Sequence, residues 1–416
     1  MIFVLSQGCA ANFGDGEKIA RVLSRHHEVR FDFPEACADA EAFFLNVCTV
    51  KGNAQAIKLL TKVHDAYPDV LLFVTGCAPK DFREEAVKIH PQVKFTSLKE
   101  IPALYGDDTG EQVRTSTLRE SPFTGIVNIE EGCMDACAFC STRLVKGRLH
   151  SFTPELIVEQ VGALVNDGCY EIQLTGQDCA CYGFDIGTNL AELVQKILAK
   201  VPGNYKIRLG MGNPRHMSTY LEALLDCFAD ERLYKFVHIP VQSGSDRVLL
   251  AMNRKHTAED FRRLATLFNT RFPRFTLSTD LIVGFPGEAQ SDFEQTLRLV
   301  EETRPTVCNI TRFVARPGTP AARAEASADA VDGNIKHERS ALLFDTFQKI
   351  AEENNRKWVG ETCTVVTEKK GYREGTTICR NAAYRPVAVP GDYPAGTSLR
   401  VRITGAEPFA LIAEVL

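Results

Sequence analysis

Between residues 126 and 313 the chain repeats one pattern six times: a short run rich in branched apolar residues, then a longer amphipathic stretch. The runs are IVNIEEG, EIQLTGQD, KIRLGMGNP, FVHIPVQSGS, TLSTDLIVGFP and VCNITRF. Stretches such as TPELIVEQVGALVND, NLAELVQKILAKV and SDFEQTLRLVEE lie between them. Short apolar runs bounded by Gly and polar residues are strand signals, and the longer stretches carry helical periodicity. Six βα units predict an incomplete version of the eightfold βα barrel, whose site lies at the carboxyl ends of the strands. Glycines and polar side chains cluster at those ends here.

The flanking segments differ. Residues 1–105 alternate IFVLSQGC, DGEKIARVLSRH, AFFLNVC, NAQAIKLLTKVHDAY and VLLFVTGC, a βαβα order that predicts a Rossmann-like α/β domain with a parallel sheet. A polar linker, GDDTGEQVRTSTLRESP, precedes the barrel segment, assigned to 120–350, which ends in a long helix beginning NIKHERSALLF. Residues 357–416 turn to short alternating runs broken by Gly and Pro, the pattern of a small antiparallel β-barrel. The expected fold is therefore α/β in three domains. The first residues carry no basic region before their apolar run, and no stretch of about 18 apolar residues occurs, so the expectation is a cytoplasmic chain without a signal peptide or membrane contact.

Fourteen cysteines in 416 residues without a secretory signal point to metal or redox chemistry rather than a disulfide framework. Cys9, Cys48 and Cys77 each end an apolar run of the first segment. In an open parallel sheet such ends face one crevice, so three distant thiols can converge there. Cys133, Cys137 and Cys140 form C-x-x-x-C-x-x-C in EEGCMDACAFCSTRLVKGR. Chance would supply on the order of 0.02 such matches in a chain of this composition. A zinc tetrahedron would require a fourth Cys or His, and His150 lies ten residues beyond Cys140. A four-iron cluster takes four thiolates, so three would leave one iron open to a substrate or cofactor.

CMDACAFC at the end of a first barrel strand resembles the cluster motif of the radical S-adenosylmethionine superfamily, and three further strand ends agree. Thr175, Gly176, Gln177 and Asp178 in LTGQD resemble the second-strand motif that binds the methionine amino group. Gln242 and Ser243 in IPVQSGSD, and Gly284 and Gly287 in DLIVGFPGE, resemble the later-strand motifs. The resemblance implies that S-adenosylmethionine chelates the open iron and is cleaved by a cluster electron to a 5′-deoxyadenosyl radical, with no side chain acting as acid or base.

With GCAAN, NVCTVKGNAQ and TGCAPK in the first segment and the terminal β-barrel, the whole chain is similar to the methylthiotransferase family, and the barrel is similar to the TRAM RNA-binding module. The resemblance implies a second 4Fe-4S cluster on Cys9, Cys48 and Cys77 that carries the sulfur or methylthio group. CTVKGNAQ, LGMGNP and TGQDCACYGFDIGTNL are similar to the archaeal and eukaryotic branch, which implies tRNA as partner and conversion of N6-threonylcarbamoyladenosine at position 37, in the anticodon loop, to its 2-methylthio form. An electron donor and a sulfur donor are implied as further partners. The alternatives are the same chemistry on N6-isopentenyladenosine or on ribosomal protein S12, and an iron-sulfur RNA-binding protein without catalysis.

Charge bears on the partner. The chain carries net −5, yet residues 357–416 hold eight Lys and Arg against six Asp and Glu. RNA binding rests on such cations with stacking rings between them, which makes Lys369, Lys370, Tyr372, Arg373, Arg380, Tyr384 and Arg385 the candidate contacts. Cys179 and Cys181 follow LTGQD where that branch has small non-thiol residues; they are either buried small side chains or oxidation-prone thiols. His238 either faces the cofactor or is a core histidine.

Overall fold

A computed structural model describes residues 1–34, 37–48, 53–104, 117–326 and 329–416. Residues 49–52 of the branch-like stretch CTVKGNAQ, and most of the polar linker, lie outside the described residues. The chain divides into two compact units: residues 1–134, 140–177 and 199–203, and residues 135–139, 178–198 and 204–416.

The first unit opens with β1 (Ile2–Ser6), α1 (Ala10–Leu23), β2 (Val29–Arg30), β3 (Ala42–Cys48), α2 (Ala54–Ala66), β4 (Leu71–Cys77), α3 (Lys80–Ile89), β5 (Lys94–Phe95) and α4 (Ile101–Leu104). The strands form one parallel sheet in the order β2-β1-β3-β4-β5. Because successive strand residues point to opposite faces, Phe43 joins α2 and α3 residues Leu60 and Phe82 on one side, while Phe44 joins α1 residues Ile19 and Leu23 on the other. Both faces are thus covered by helices, and the strands need continuous apolar runs rather than alternation. Each such fully buried Phe or Leu contributes about 1.5–3 kcal/mol. The order reverses between β1 and β3, the switch point where sheets of this class open a ligand crevice beyond their carboxyl ends.

The unit continues with β6 (Thr124–Asn128), β7 (Glu130–Glu131), α5 (Thr142–Lys146), β8 (His150–Ser151), α6 (Pro154–Asn166) and β9 (Glu171–Thr175). β6 and β9 pair in parallel around the crossover α6, as a βα barrel requires. Asn128 at the end of β6 donates to the Ala11 carbonyl and to Asp15 Oδ1 at 2.8 Å, fixing α1 against this strand.

After α7 (Leu190–Lys200), the second unit holds β10 (Lys206–Leu209), α8 (Pro214–Met217), α9 (Leu221–Cys227), β11 (Phe236–His238), α10 (Asp246–Ala251), α11 (Ala258–Arg271), β12 (Thr276–Val283), α12 (Gln290–Thr303) and β13 (Val307–Arg312). β11, β12 and β13 pair in parallel. α13 (Pro320–Glu325) and the long α14 (Gly333–Arg356) lead to β14 (Thr362–Lys370), β15 (Thr376–Asn381), β16 (Pro386–Pro390), β17 (Ser398–Ala406) and β18 (Leu411–Val415). These five close a barrel in the order β14-β15-β16-β18-β17. One pairing departs from the expected antiparallel pattern: β16 and β18 run parallel, with Val387 beside Leu411. Closure of an odd number of strands requires such a parallel seam, and strand patterning alone does not reveal which pair forms it. No helix among the described residues is long and apolar enough to cross a membrane.

Candidate active site

The switch-point crevice of the first unit is where Cys9, Cys48 and Cys77 fall. Cys9 caps the start of α1 just past β1, Cys48 ends β3, and Cys77 ends β4 directly beside Cys48 in register. None is in a disulfide. Gly8, at φ +112°, lies so close to Cys48 that a Cβ there would sit 2.3 Å from the Cys48 Cβ and 2.8 Å from its Sγ. Burial pushes the Cys77 thiol up to about 12 against the pull of the Lys146 ammonium, and Cys48 and Cys9 push it further. Burial also raises Cys9, while the Asn12 and Ala11 amides at the helix start draw it down. Lys146 is itself held by Asp15 at 2.6 Å. Cys77 is buried, Cys48 half-exposed and Cys9 exposed. The raised Cys77 and Cys9 thiols, each pushed up in part by the neighbouring Cys48 sulfur, favour the thiol form until a cationic centre shares their charge, and thiolate coordination to iron would supply it. The donor set therefore fits an iron-sulfur group.

The second triad sits on the loop between β7 and α5, and its three sulfurs are half-exposed and free of disulfides. In the first unit, the Gly132 amide donates to Gln177 Oε1 at 2.6 Å, and Gly176 passes so close to Glu130 that an added Cβ would lie 2.0 Å from its Oε1. Thr175 and Gly176 end and follow β9, and Thr175 is buried there.

In the second unit, residues that sequence motifs did not single out hold the loop around Cys137. Asn253 donates to the Ala136 carbonyl at 2.7 Å, the Ala138 amide donates to the Met252 carbonyl, and buried Arg254 places Nη1 3.4 Å from Cys137 Sγ. Arg254 is anchored by a 2.8 Å bond to the Pro240 carbonyl. A guanidinium beside a cysteine sulfur favours negative charge there, as cluster ligation would require.

Asp135, between Cys133 and Cys137, is bound by Asn213 Nδ2, by Arg215 Nη1 at 3.1 Å and by His216 Nε2 at 3.4 Å. Burial would raise its carboxyl, but the His216 hydrogen bond and the His216 and Arg215 charges hold it below its ordinary value. Asp178, fully enclosed, accepts from the Asn213 amide at 2.9 Å and lies 3.7 Å from His216; burial raises it. Thus LGMGNP, read as a branch signature, ends in a bracket that ties the cluster loop to the second-strand motif.

At the later strand ends, Gln242 adopts φ +77° while hydrogen-bonding through both its amide and its carbonyl to β12, a strained position held by the strand beside it. Ser243 is buried, its hydroxyl 3.4 Å from that of Thr296. Gly284, at φ +72°, makes room for the Lys336 stem and donates to Glu288 at 2.7 Å. Gly287 has open space beside it. His238 Nε2 meets Asp280 Oδ1 at 2.9 Å, and Asn309 Nδ2 donates to the same oxygen at 2.7 Å, a polar row across β11, β12 and β13. Cys179 and Cys181 are wholly buried in a short 3-10 turn, so of the two readings the small buried side chain is the one realised.

The seven candidate RNA contacts separate. Lys369, Lys370, Tyr372 and Arg373 stand exposed at the β14–β15 turn, with the Lys369 ammonium 5.8 Å from the Tyr372 ring and Arg373 paired with Glu407. Arg380 is half-buried, 2.8 Å from Glu368 and over the Tyr384 ring. Tyr384, at φ +60°, packs on Tyr234 and Phe236, and Arg385 is buried against Asn355 and Thr306. Those last two are withdrawn from an exposed RNA face, since their side chains join the terminal barrel to β11, α14 and the start of β13.

Comparisons with known proteins agree with this arrangement. Residues 127–300 match the model of the radical SAM superfamily, and residues 1–97 that of the uncharacterized protein family UPF0004. A radical S-adenosylmethionine methyltransferase, TsrM, from Kitasatospora setae, solved with cobalamin and a 4Fe-4S cluster, superposes with TM-score 0.59 at 14% identity, covering 77% of this chain and 76% of that one. At that identity the likeness concerns the fold alone. Fold and cysteine loop define a radical S-adenosylmethionine protein, for which S-adenosylmethionine and one 4Fe-4S cluster are the cofactors. Proteins named probable threonylcarbamoyladenosine tRNA methylthiotransferase from Pyrococcus horikoshii and Methanothermobacter thermautotrophicus are 34% and 33% identical, the first over 100% of this chain and 99% of its own length, the second over 99% of each. The Homo sapiens threonylcarbamoyladenosine tRNA methylthiotransferase is 31% identical over 94% of this chain and 69% of its own. The chain belongs to the threonylcarbamoyladenosine tRNA methylthiotransferase family.

Proposed function

We propose that this chain is a cytoplasmic transferase that converts N6-threonylcarbamoyladenosine at position 37 of tRNA to its 2-methylthio derivative, using two 4Fe-4S clusters. Cys133, Cys137 and Cys140 would hold the cluster that works with S-adenosylmethionine, and Cys9, Cys48 and Cys77 the second, sulfur-delivering one. Together the bound groups supply one-electron and radical chemistry that protein side chains lack. What carries the reading is a complete pair of cysteine triads in a chain whose relatives of that name match it from end to end.

The chain's own residues then have positioning roles. Arg254 puts a positive charge on the Cys137 sulfur. Asn213, Arg215 and His216 steady Asp135 within the loop. Gln177 holds the Gly132 amide at the loop's entry, and Thr175, Gly176, Gln177, Asp178, Gln242, Ser243, Gly284 and Gly287 are assigned to the cofactor. The working division is a sulfur-delivery domain at 1–105, a radical core at 120–350 and an RNA module at 357–416, in which Lys369, Lys370, Tyr372 and Arg373 contact phosphates and bases. The target base lies in the unpaired anticodon loop and must enter the barrel mouth, as enzymes acting on bases require. Electrons and sulfur come from other molecules.

The test is anaerobic reconstitution with S-adenosylmethionine, a reductant and tRNA carrying either threonylcarbamoyladenosine or isopentenyladenosine. The 2-methylthio product should arise from the first tRNA alone. Product from the second, or from neither, would overturn the substrate assignment.

A further inference from the structure

The withdrawal of Arg385 from the RNA face leaves a buried cation to be explained. Its side chain is 6% exposed, and two hydrogen bonds serve it, Nη1 to Asn355 Oδ1 at 2.7 Å and Nη2 to Thr306 Oγ1 at 3.1 Å. A guanidinium carries more N–H groups than that, and the buried Nε has no partner. No carboxylate among the described residues pairs with it, and burial alone draws its pKa down to about 9. Buried arginines are ordinarily matched by an acid, because an unpaired buried charge is costly.

Arg385 lines a cleft of about 280 Å³ together with Arg274, Arg304, Thr306, Lys357 and Trp358. That is near the lower end of small-ligand pockets, about 300 Å³. Arg274 is matched by Glu361, Arg304 by Glu353, and Glu302 by Arg262 at 2.6 Å. Arg385 and Lys357 remain, and among the described residues the Lys357 ammonium has only the Asn354 amide oxygen at 3.1 Å. The cleft therefore keeps two uncompensated cations, a threonine hydroxyl and an indole face. Its position separates it from the chemistry. Phe275 and Thr306 immediately precede β12 and β13, so the cleft lies at the amino ends of these strands, whereas Gly284 follows the carboxyl end of β12.

We propose that this cleft is a phosphate-binding site, in which Arg385, Lys357 and Thr306 hold one phosphate group. Guanidinium and ammonium donors beside a hydroxyl suit phosphate oxygens; a free phosphate or phosphate monoester, with up to two charges, matches the uncompensated pair, and a backbone phosphodiester, with one, compensates half of it. The group belongs either to a free phosphate compound or to an RNA backbone.

The experiment uses the full chain with inorganic phosphate as probe, against chloride at matched ionic strength. Thermal unfolding and calorimetric titration should show saturable stabilisation by phosphate. Lys357→Met, at an exposed position, and Thr306→Val should each weaken phosphate binding at least about ten-fold, the loss of one charge-assisted or hydroxyl hydrogen bond. A tRNA titration across salt then identifies the source. If an RNA phosphate fills the cleft, phosphate competes with tRNA and Lys357→Met lowers the salt slope by about 0.7–0.9. An unchanged slope with phosphate binding retained in the wild type identifies a free phosphate compound. Absence of any saturable phosphate effect over chloride, or variants that bind phosphate like the wild type, would overturn the site.

Discussion

Replacing Gly8 by alanine tests whether the first cysteine triad is a built site. The new Cβ would lie 2.3 Å from Cys48 Cβ and 2.8 Å from its Sγ, where carbon atoms ordinarily approach no closer than about 3.5 Å. Cys48 cannot retreat freely, because β3 is laddered to β1 on one side and β4 on the other. The backbone at Gly8, φ +112°, adds strain for any residue with a side chain, about 1–3 kcal/mol, and overpacking a filled site costs about 1–3 kcal/mol more. The two relax together, so a loss of about 2–4 kcal/mol is expected rather than their full sum. Urea unfolding of the metal-free protein measures it. The displaced Cys48 sulfur should also cost the second cluster, so iron after anaerobic reconstitution should fall from about eight to about four per chain. Full iron content with an unchanged unfolding midpoint would refute both the packing and the site.

The other expectations concern the two triads and one histidine. Cys137→Ala should abolish S-adenosylmethionine cleavage, whereas Cys48→Ala should spare cleavage and abolish methylthio insertion; equal loss of both activities in folded variants, measured as deoxyadenosine and modified nucleoside, would count against separate sites. Arg254→Met removes a charged hydrogen bond to Cys137, worth about 1.5–3 kcal/mol, and should make cluster iron about ten- to hundred-fold easier to strip with a chelator. Wild-type resistance to the chelator would show that this contact does not matter. His256, buried and beside the Arg254 charge, titrates near 4 instead of its ordinary 6.5. The unfolded chain therefore binds the extra proton first, and stability should fall as pH drops from about 6.5 to about 4, by up to roughly 3 kcal/mol. His256→Gln should lack that component of the pH dependence, and parallel curves for the two proteins would dispose of the idea.

Elements whose signal is local were legible. The runs ending in Cys48 and Cys77 are continuous apolar strands because both sheet faces are covered, and run length together with terminal position revealed the strands and placed both cysteines at their carboxyl ends. The contacts around Cys137 were not legible. Arg254 is 117 residues away, and nothing in MNRKH distinguishes an arginine beside Cys137 from a surface one until its bond to the Pro240 carbonyl fixes it. The role of Asn213 in LGMGNP was not legible either, since its partners Asp135 and Asp178 lie far off in sequence. In the terminal barrel, Arg380, Tyr384 and Arg385 looked like the exposed face of a charged strand. A left-handed residue at Tyr384 breaks the alternation and turns Arg385 inward, which no residue-type pattern announces.

The most direct test of the central claim is mass spectrometry of tRNA nucleosides from cells with and without this gene. Loss of 2-methylthio-N6-threonylcarbamoyladenosine, with accumulation of its unthiolated precursor and restoration by the intact gene but not by its Cys48→Ala variant, is the expected result. An unchanged level of that nucleoside, or loss of a methylthiolated isopentenyladenosine instead, would contradict it.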